Sequence, residues 1–240
     1  MSNPFLSIVI PAHNEERRLP QTLEQVVDFV KKQPFDTEVL VVENASRDNT
    51  LQVAQDFAAR YPLIRVIHEE LPGKGRAVHK GMLAATGQYR FFADADFSMP
   101  VDQITRFLPP ALDVPVVIAS REASGAVRYN EPAYRHITGR VFNSLIRLLV
   151  LHDLDDTQCG FKMFRADAAQ ELFPRQTLMG WSFDVELLYI ARRRGYPILE
   201  IGVPWYFNPE SKVNVLRDSW RMFTDLITIR RNGRMGKYDT

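Results

Sequence analysis

The chain has 240 residues, of which 45% are hydrophobic and 25% are charged, and its formal net charge is +1. This composition is that of a globular protein with a sizeable core, and it excludes a disordered or fibrous chain. The net charge hides an asymmetry, because residues 212–237 form a basic end on a neutral body, and no nucleic-acid partner is expected.

The first half of the chain alternates short apolar runs with helical patterns. The apolar runs predict four strands, at residues 6–11, 38–42, 64–67 and 89–93. Apolar residues three and four positions apart predict helices between them, one beginning near Pro20, one capped by Ser46 and Asp48, and one over 77–85. This alternation indicates an α/β fold with a mixed, mostly parallel central sheet and helices on both faces.

The second half of the chain is less regular. The predicted elements are a strand at 116–120, a polar loop at 121–132, a helix at about 137–151, a helix entered from DDTQCGFKMF, a helix in WSFDVELLYIARRRG that ends at Gly195, a strand at 197–207 and a closing helix at about 216–231. No internal repeat and no linker divides the sequence, so residues 1–240 are expected to form a single domain.

Polar residues follow three of the predicted strands, at 11–15, 43–46 and 94–96. In a parallel sheet the ligand crevice lies beyond the carboxyl ends of the strands, so these segments are expected to converge on one site. The last segment contains the D-x-D pair Asp94 and Asp96, two carboxylates that repel each other unless a cation lies between them. Oxygen ligands suit Mg²⁺ or Mn²⁺; the alternative is an Asp-rich turn that caps a helix near Val101.

A glycine-rich turn precedes the third predicted helix. In LPGKGRAVHKG, Gly73 and Gly75 flank Lys74, so backbone N–H groups and an ammonium could contact a phosphate there. The P-loop pattern is absent, and a plain glycine turn is the alternative. Close to a metal and a nucleotide, the phosphate-binding interpretation is favoured.

Seven segments, in their order and spacing, resemble the family 2 glycosyltransferases of GT-A fold: IPAHNEE, VVENASRDNT, GKGRAVHKG, FADADFS, DTQCGFKMF, SFDVELLYIA and PESK. The resemblance is greatest to the dolichyl-phosphate β-glucosyltransferases and their polyprenyl-phosphate relatives, with dolichyl-phosphate mannose synthase slightly further away. It covers Leu6 to about Asp218. It implies an inverting, metal-dependent transfer of a hexose from a nucleotide sugar, with UDP-glucose preferred, to a polyprenyl or dolichyl phosphate.

The resemblance also implies which residues bind the nucleotide sugar. The nucleotide pocket would be lined by Pro11, Ala12, Asn14 and Glu15, with Glu43, Asn44 and Ser46 near the base and ribose. Asp94 and Asp96, the latter also a catalytic residue, would hold Mg²⁺ or Mn²⁺ on the donor diphosphate, beside Lys74. The family often has tyrosine in place of His13 and aspartates at 43–44, so the preferred base and sugar stay open.

On the acceptor side, the resemblance assigns Arg121, Arg135 and Lys212 to the acceptor phosphate, a ligand that suits the planar fork of arginine. Three solvated surface cations are the alternative. A phosphate acceptor is already anionic and needs no general base, so Asp184 is assigned to positioning the sugar or the acceptor. Glu186 is interpreted as a carboxylate on the surface of the same helix.

Two predicted helices combine apolar with basic residues, as helices that lie on a membrane surface do. One carries Ile137, Val141, Phe142, Leu145 and Leu149 with two arginines, and the other carries Trp220, Phe223, Leu226 and Ile227 with four arginines. At least one of them is expected to bind a membrane peripherally, with an apolar stripe facing the core as the alternative. A separate membrane-protein partner is left open.

The expected location follows from three features of the sequence. No apolar stretch reaches the roughly 20 residues of a bilayer span, and the N-terminus shows no signal-peptide pattern. The only cysteine, Cys159, is interpreted as a small packed residue, which favours a reducing compartment. The protein is therefore expected on the cytoplasmic face of a membrane.

Other functions stay open at this point. A transferase of the same fold could act on a soluble hydroxyl with Asp184 as its base, and GDP-mannose could replace UDP-glucose. A sugar-phosphate nucleotidyltransferase usually opens with a loop that contains Gly and Arg, which PAHNEE does not. A catalytically dead scaffold is disfavoured by the intact Asp94, Asp96 and Lys74.

Overall fold

The computed structural model describes residues 3–208 and 215–239. The strands in these residues are β1 (Leu6–Ala12), β2 (Thr37–Asn44), β3 (Ile64–Glu69), β4 (Tyr89–Ala93), β5 (Val116–Ser120), β6 (Val127–Tyr129), β7 (Phe161–Arg165), β8 (Ile198–Gly202) and β9 (Pro204–Tyr206). The α-helices are α1 (Leu19–Lys31), α2 (Thr50–Arg60), α3 (Lys74–Ala84), α4 (Ala133–Leu149), α5 (Ala166–Leu172), α6 (Phe183–Arg193) and α7 (Val215–Arg234). Short 3-10 helices span Val101–Phe107 and Phe173–Arg175.

The central sheet has seven strands in the order β3-β2-β1-β4-β7-β5-β8. β7 is antiparallel to β4 and β5, and the other neighbouring strands are parallel. β6 and β9 form a separate two-stranded parallel sheet. The predicted α/β architecture with a mixed, mostly parallel sheet is confirmed.

Helices cover both faces of the central sheet, because alternate strand residues point to opposite sides. Ile8 of β1 belongs to one hydrophobic core, together with Leu23 of α1. The next residue, Val9, belongs to the other core, together with Val78 of α3 and Leu226 of α7. Strands that are buried on both faces have continuous apolar sequences, which is why β1 and β2 could be predicted from the sequence.

The sequence analysis misses a strand in DDTQCGFKMF. The segment leads into a helix as predicted, since α5 begins at Ala166, but its last residues form β7, which the sequence analysis does not predict. β7 has only five residues, and one of them is Lys162. Its partners β4 and β5 are distant in sequence, so local patterns do not reveal the pairing that stabilises it.

The second sheet also departs from the prediction. β6 lies within 121–132, which the sequence predicts to be a loop, and the single strand predicted at 197–207 is divided. β8 completes the central sheet, whereas β9 leaves it to pair with β6. Tyr206 N of β9 donates a hydrogen bond to Ser98 O at 2.7 Å. The small sheet therefore lies beside the turn that follows β4.

Candidate active site

The carboxyl ends of β1, β2 and β4 lie side by side, because β1 pairs in parallel with both other strands. The loops that follow β1 and β2 are joined: Asn14 N donates to Ser46 Oγ at 3.0 Å, and Arg47 N donates to Asn14 Oδ1 at 2.7 Å. Thr22 Oγ1 of α1 donates to Ala95 O at 2.5 Å, which ties the turn after β4 to the same region. The structure thus brings the three predicted polar segments together.

The two carboxylates predicted to bind a metal lie in a tight turn after β4. Asp94 N donates to Gly160 O at 3.0 Å, and a Cβ atom on Gly160 would lie 2.0 Å from Asp94 Oδ2. Ser98 N donates to Asp96 Oδ1 at 3.1 Å. Phe97, between them, has a backbone φ of 37°, which residues other than glycine rarely adopt. Glycine at position 160 therefore leaves the space that the Asp94 carboxylate occupies.

Lys74, the first residue of α3, reaches the same turn. Its Nζ lies 2.6 Å from Asp94 Oδ1. It also lies 5.6 Å from the centre of the Trp181 ring. The preceding residue, Gly73, has a φ of 146°, and a Cβ atom there would lie 2.4 Å from Met179 O. The predicted glycine-rich turn therefore places a cation beside a predicted metal ligand.

A second lysine, which the sequence analysis misses, holds Asp184. Lys162 of β7 forms an ion pair with Asp184 of α6 at 2.7 Å, and only 1% and 4% of the two side chains is exposed. Lys162 Nζ also donates to the carbonyl of Cys159, which is buried as predicted. Asp184 thus lies in the protein interior, bound to a cation. A lysine inside the apolar run FKMF is the signal that could have found this pair.

Burial and neighbouring charges set the ionisation of this cluster. Burial, together with the negative charge of Asp94, raises the pKa of Asp96. Burial also raises the pKa of Asp184, against the attraction of Lys162 and Lys74. Although burial opposes it, the attraction of Asp94 and Asp184 raises the pKa of Lys74. The cluster has three acidic and two basic side chains, so it carries one excess negative charge when all are ionised.

The donor atoms of this cluster fit a divalent cation. Asp94 and Asp96 provide carboxylate oxygens, which Mg²⁺ and Mn²⁺ prefer, where negative charge is in excess. Within residues 3–208 and 215–239, no group of three or more His, Cys, Asp or Glu side chains could hold a metal ion. The remaining ligands would therefore come from water or from the phosphates of a bound nucleotide, as is usual for Mg²⁺.

The residues predicted to line the nucleotide pocket lie at the end of β1. Pro11 and Ala12 are its last two residues, and Ala12 is buried. The buried Glu15 accepts two hydrogen bonds from Arg18, both at 2.7 Å. Glu15 N donates to Thr50 Oγ1 at 2.7 Å, at the start of α2. These contacts order the loop after β1, and the nucleotide-binding roles stay predictions.

Glu43, predicted to lie near the base, is buried at the end of β2. Its carboxylate accepts a hydrogen bond from Ser46 N at 2.6 Å and pairs with His68 Nδ1 of β3 at 2.5 Å. Glu43 therefore joins the ends of two neighbouring strands. Its contact with a nucleobase stays a prediction.

Asn44, the last residue of β2, is connected to the turn that carries Lys74. Its Nδ2 donates to Leu71 O at 2.5 Å, and its Oδ1 accepts from Gly73 N at 2.8 Å. The buried side chain thus uses one donor and one acceptor, which an ionised aspartate cannot supply. The Asn44 amide therefore holds the residues in front of Lys74.

Replacing Asn44 with aspartate is expected to destabilise the fold by about 1–3 kcal/mol, because a carboxylate would face the Leu71 carbonyl without a proton to donate. If Lys74 contacts the nucleotide as predicted, UDP should also bind more weakly, since the turn before Lys74 loses an anchor. Urea denaturation and UDP titration of the Asn44→Asp protein measure the two effects. The same change at the exposed Asn3 should produce neither, and equal stability of the two variants would contradict this role of Asn44.

Arg121, predicted to bind the acceptor phosphate, follows β5. Its Nε and Nη2 donate to the two oxygens of the fully buried Asp156 at 2.6 and 2.9 Å. Although burial opposes it, the charge of Arg121 lowers the pKa of Asp156 to about 2. Asp156 and the Trp205 ring, whose centre is 5.5 Å away, thus fix the Arg121 guanidinium. Arg135 is a residue of α4, and Lys212 lies outside the described residues.

The interpretation of Glu186 as a surface carboxylate is wrong. Glu186 is fully buried and accepts hydrogen bonds from Thr177 N at 2.8 Å and Leu178 N at 2.7 Å. The Tyr238 hydroxyl donates to it at 2.7 Å, and burial together with the Glu186 charge raises the pKa of that tyrosine. Because α7 and the residues after it cover α6, Glu186 is not at a solvent face. By holding Thr177 and Leu178, Glu186 positions the segment whose next carbonyls, of Met179 and Gly180, accept hydrogen bonds from the start of α3.

Comparison with known proteins identifies sequence relatives of this chain. The family model described as "Glycosyl transferase family 2" matches residues 7–173. The human dolichyl-phosphate beta-glucosyltransferase is 33% identical over 94% of this chain and 74% of its own length. The protein of that name from Saccharomyces cerevisiae is 32% identical over 98% of this chain and 76% of its own length.

Solved structures show the same fold at lower sequence identity. The glucosyl-3-phosphoglycerate synthase of Mycobacterium tuberculosis, in complex with Mn²⁺, UDP-glucose and phosphoglyceric acid, superimposes with a TM-score of 0.69 at 19% identity, covering 97% of this chain and 80% of its own. The mannosyl-3-phosphoglycerate synthase of Rubrobacter xylanophilus gives a TM-score of 0.70 at 18% identity, covering 98% and 75%. These likenesses confirm the predicted GT-A fold.

Proposed function

The chain belongs to glycosyl transferase family 2, and we propose that it transfers glucose from UDP-glucose to a dolichyl or other polyprenyl phosphate. The observation that carries the proposal is its similarity, over more than nine-tenths of its length, to proteins named dolichyl-phosphate beta-glucosyltransferases. A β-linked product from an α-linked nucleotide sugar requires inversion at the anomeric carbon. The reaction is therefore a single displacement at that carbon.

The donor diphosphate is assigned to the turn that holds Asp94, Asp96 and Lys74. Asp94 and Asp96 would hold Mg²⁺ or Mn²⁺, which would act as a Lewis acid toward the leaving diphosphate. Lys74 contributes a fixed positive charge where negative charge develops as UDP departs. The backbone N–H groups of Gly75 and Arg76 already donate to Gly180 O and Met179 O, so the phosphate contact at the start of α3 is assigned to the Lys74 ammonium.

In the displacement, an oxygen of the acceptor phosphate forms a bond to the anomeric carbon, and the bond from that carbon to UDP breaks. The electron pair of the broken bond goes to the diphosphate. The attacking phosphate is ionised at neutral pH, so no proton has to be removed. The carboxylate of Asp184 is bound to Lys162 in the interior. This supports a positioning role for Asp184 and not the role of a general base.

The acceptor phosphate is assigned to Arg121, Arg135 and Lys212. Arg121 supports the assignment because Asp156 and Trp205 fix its orientation, and a fixed guanidinium loses little freedom when it binds a phosphate. Phosphate binding would use the donors of Arg121 that do not face Asp156. The assignment predicts that Arg121 determines affinity for the lipid phosphate and not for UDP.

A surface on α4 and α7 supports peripheral binding to a membrane. α4 exposes Tyr134, Val141 and Leu148, which recur every seven residues and so share one face. α7 contacts α4 and exposes Trp220 and Ile227 at the same spacing, whereas Leu226 is buried. Exposed arginines accompany these rows, and each basic residue near an anionic surface contributes about 1 kcal/mol.

No helix among the described residues is long and apolar enough to cross a bilayer. From the exposed apolar and basic residues of α4 and α7, we propose that the protein meets its lipid acceptor through this surface, at the cytoplasmic face of a membrane. The buried, unpaired Cys159 suits the reducing conditions there. A membrane protein that binds the same surface is a further proposal. If the purified protein binds membranes by itself, no such partner is needed.

Replacing Trp220 and Ile227 together with serine is expected to weaken binding to anionic lipid vesicles at least about tenfold, because each side chain buries apolar area in the interface. Folding stability should not change, since Trp220 is 71% and Ile227 54% exposed. Co-sedimentation with phosphatidylcholine–phosphatidylserine vesicles measures the effect. A Leu83→Ser protein, which loses an exposed apolar residue of α3, should bind like the wild type. Equal binding by all three proteins would contradict this surface.

The proposed reaction is tested with purified protein, Mg²⁺ or Mn²⁺, a short-chain polyprenyl phosphate, and one of three donors in parallel. The donors are UDP-glucose, UDP-N-acetylglucosamine and GDP-mannose, and the glycolipid is detected by mass. Glucolipid from UDP-glucose alone is the expected result. Product from GDP-mannose would overturn the donor assignment. Nucleotide release without glycolipid would overturn the assignment of a lipid-phosphate acceptor. Asp184 would then be the candidate base that deprotonates a hydroxyl acceptor.

A further inference from the structure

The ion pair of Lys74 with Asp94 places an ammonium on an oxygen that is proposed to bind a divalent cation. The contact is 2.6 Å, and 18% of the Lys74 side chain and 29% of the Asp94 side chain is exposed. Asp184 and Asp96 also attract the ammonium and raise its pKa. Lys74 therefore supplies positive charge to the same carboxylates that a metal ion would require.

The backbone on both sides of Lys74 is anchored by hydrogen bonds. Gly73 N donates to Asn44 Oδ1 at 2.8 Å. Gly75 N donates to Gly180 O at 3.3 Å, so the residue after Lys74 is also anchored. A lysine side chain has four rotatable bonds and a compact charge, so its Nζ can move by several ångströms while the backbone stays in place. The rotatable bonds of the side chain are therefore what would let the ammonium change partners while the backbone stays anchored.

We propose that Lys74 is a built-in counter-cation of Asp94, which releases this carboxylate when Asp94 binds a divalent cation and then binds the diphosphate of the donor. The inference rests on the metal site assigned above to Asp94 and Asp96. An ammonium and a divalent cation repel each other strongly at contact distance, so they do not share one carboxylate oxygen.

The exchange couples metal binding to nucleotide binding. Without nucleotide, a metal ion has to compete with Lys74 for Asp94, so its affinity is low. A diphosphate gives the released ammonium a new partner, so UDP strengthens metal binding, and by linkage the metal strengthens UDP binding by the same factor. Lys74 therefore adds to the coupling that arises wherever the diphosphate itself coordinates the metal.

The test measures Mn²⁺ binding directly, from the electron paramagnetic resonance signal of free Mn²⁺, with and without saturating UDP. The proteins are the wild type, Lys74→Met and Lys80→Met. Lys80 lies on the same helix, and its ion pair is with Glu69 at 3.1 Å, so it is a matched control. Lys74→Met is expected to bind Mn²⁺ about tenfold more tightly than the wild type when UDP is absent, a usual size for coupling between two ligands. The factor by which UDP strengthens Mn²⁺ binding should fall by a similar amount.

The two ways of failing are distinguishable. Mn²⁺ binding by Lys74→Met that is no tighter than that of the wild type, in the absence of UDP, would overturn the counter-cation role while leaving the metal site in place. No Mn²⁺ binding by the wild type, even with UDP, would instead contradict the proposed metal site itself. If Lys74→Met does not fold, Lys74→Gln gives the same comparison. A Lys74→Arg protein keeps the charge and should retain weak Mn²⁺ binding in the absence of UDP.

Discussion

Replacing Asp96 with asparagine is expected to lower glucosyl transfer to a polyprenyl phosphate by a factor of about 100 to 1000. The substitution keeps the shape of the side chain and removes one of two carboxylates assigned to the metal and the leaving diphosphate. Loss of one group that stabilises developing charge has an effect of this size. Initial rates of glucolipid formation at saturating UDP-glucose measure it.

The stability of the Asp96→Asn protein separates a catalytic loss from a folding defect. The pKa of Asp96 is raised by burial and by Asp94, so its ionised form is less favoured in the folded protein than in the unfolded chain. Removing the charge should therefore leave the melting temperature unchanged or higher. Asp102→Asn, at an exposed aspartate of the next 3-10 helix, is the matched control and should be fully active. Wild-type activity of Asp96→Asn would contradict the assignment.

Replacing Lys162 with methionine is expected to lower the free energy of unfolding by about 3–5 kcal/mol. Lys162 and Asp184 are almost completely buried, and removing one partner of such a pair leaves an uncompensated charge in the interior. Urea denaturation measures the loss. Lys31→Met removes a lysine whose ion pair with Asp28 is exposed, so it should cost less than about 1 kcal/mol.

The pH dependence of the Lys162→Met protein gives a second measurement. Burial already raises the pKa of Asp184, and loss of the lysine should raise it further. A carboxyl whose pKa is higher in the folded than in the unfolded protein destabilises the fold as pH rises through the range between the two values. The loss should therefore be smaller at pH 5 than at pH 8. The loss of unfolding free energy should also be smaller in the double variant Lys162→Met, Asp184→Asn. A loss that is the same at pH 5 and pH 8, and the same in the single and double variants, would contradict the ion-pair account.

Much of the candidate site could be predicted because its signals are local in sequence. Asp94 and Asp96 follow an apolar strand, and Lys74 lies between two glycines before a helix. Parallel pairing of β1 with β2 and β4 then brings the three strand ends together, as the general rule for such sheets predicts. The strands themselves could be predicted because burial on both faces makes their sequences continuously apolar.

The charges of the interior could not be predicted in the same way. Lys162 and Asp184 are 22 residues apart, and Glu186 and Tyr238 are 52 residues apart. Asp184 and Glu186 are two positions apart on α6, yet one is held by a lysine and the other by backbone N–H groups and a tyrosine. A helical pattern shows which residues are charged, but it does not show which element covers them.

The sequence by itself determined the family, the parallel half of the sheet and the place where Asp94, Asp96 and Lys74 meet. These features depend on runs of neighbouring residues and on the general geometry of parallel strands. Only the tertiary structure decided that β7 enters the sheet antiparallel and that it carries the lysine that pairs with Asp184. The physical reason is that a buried charge takes its partner from whichever element packs against it, and that packing joins residues that are distant along the chain.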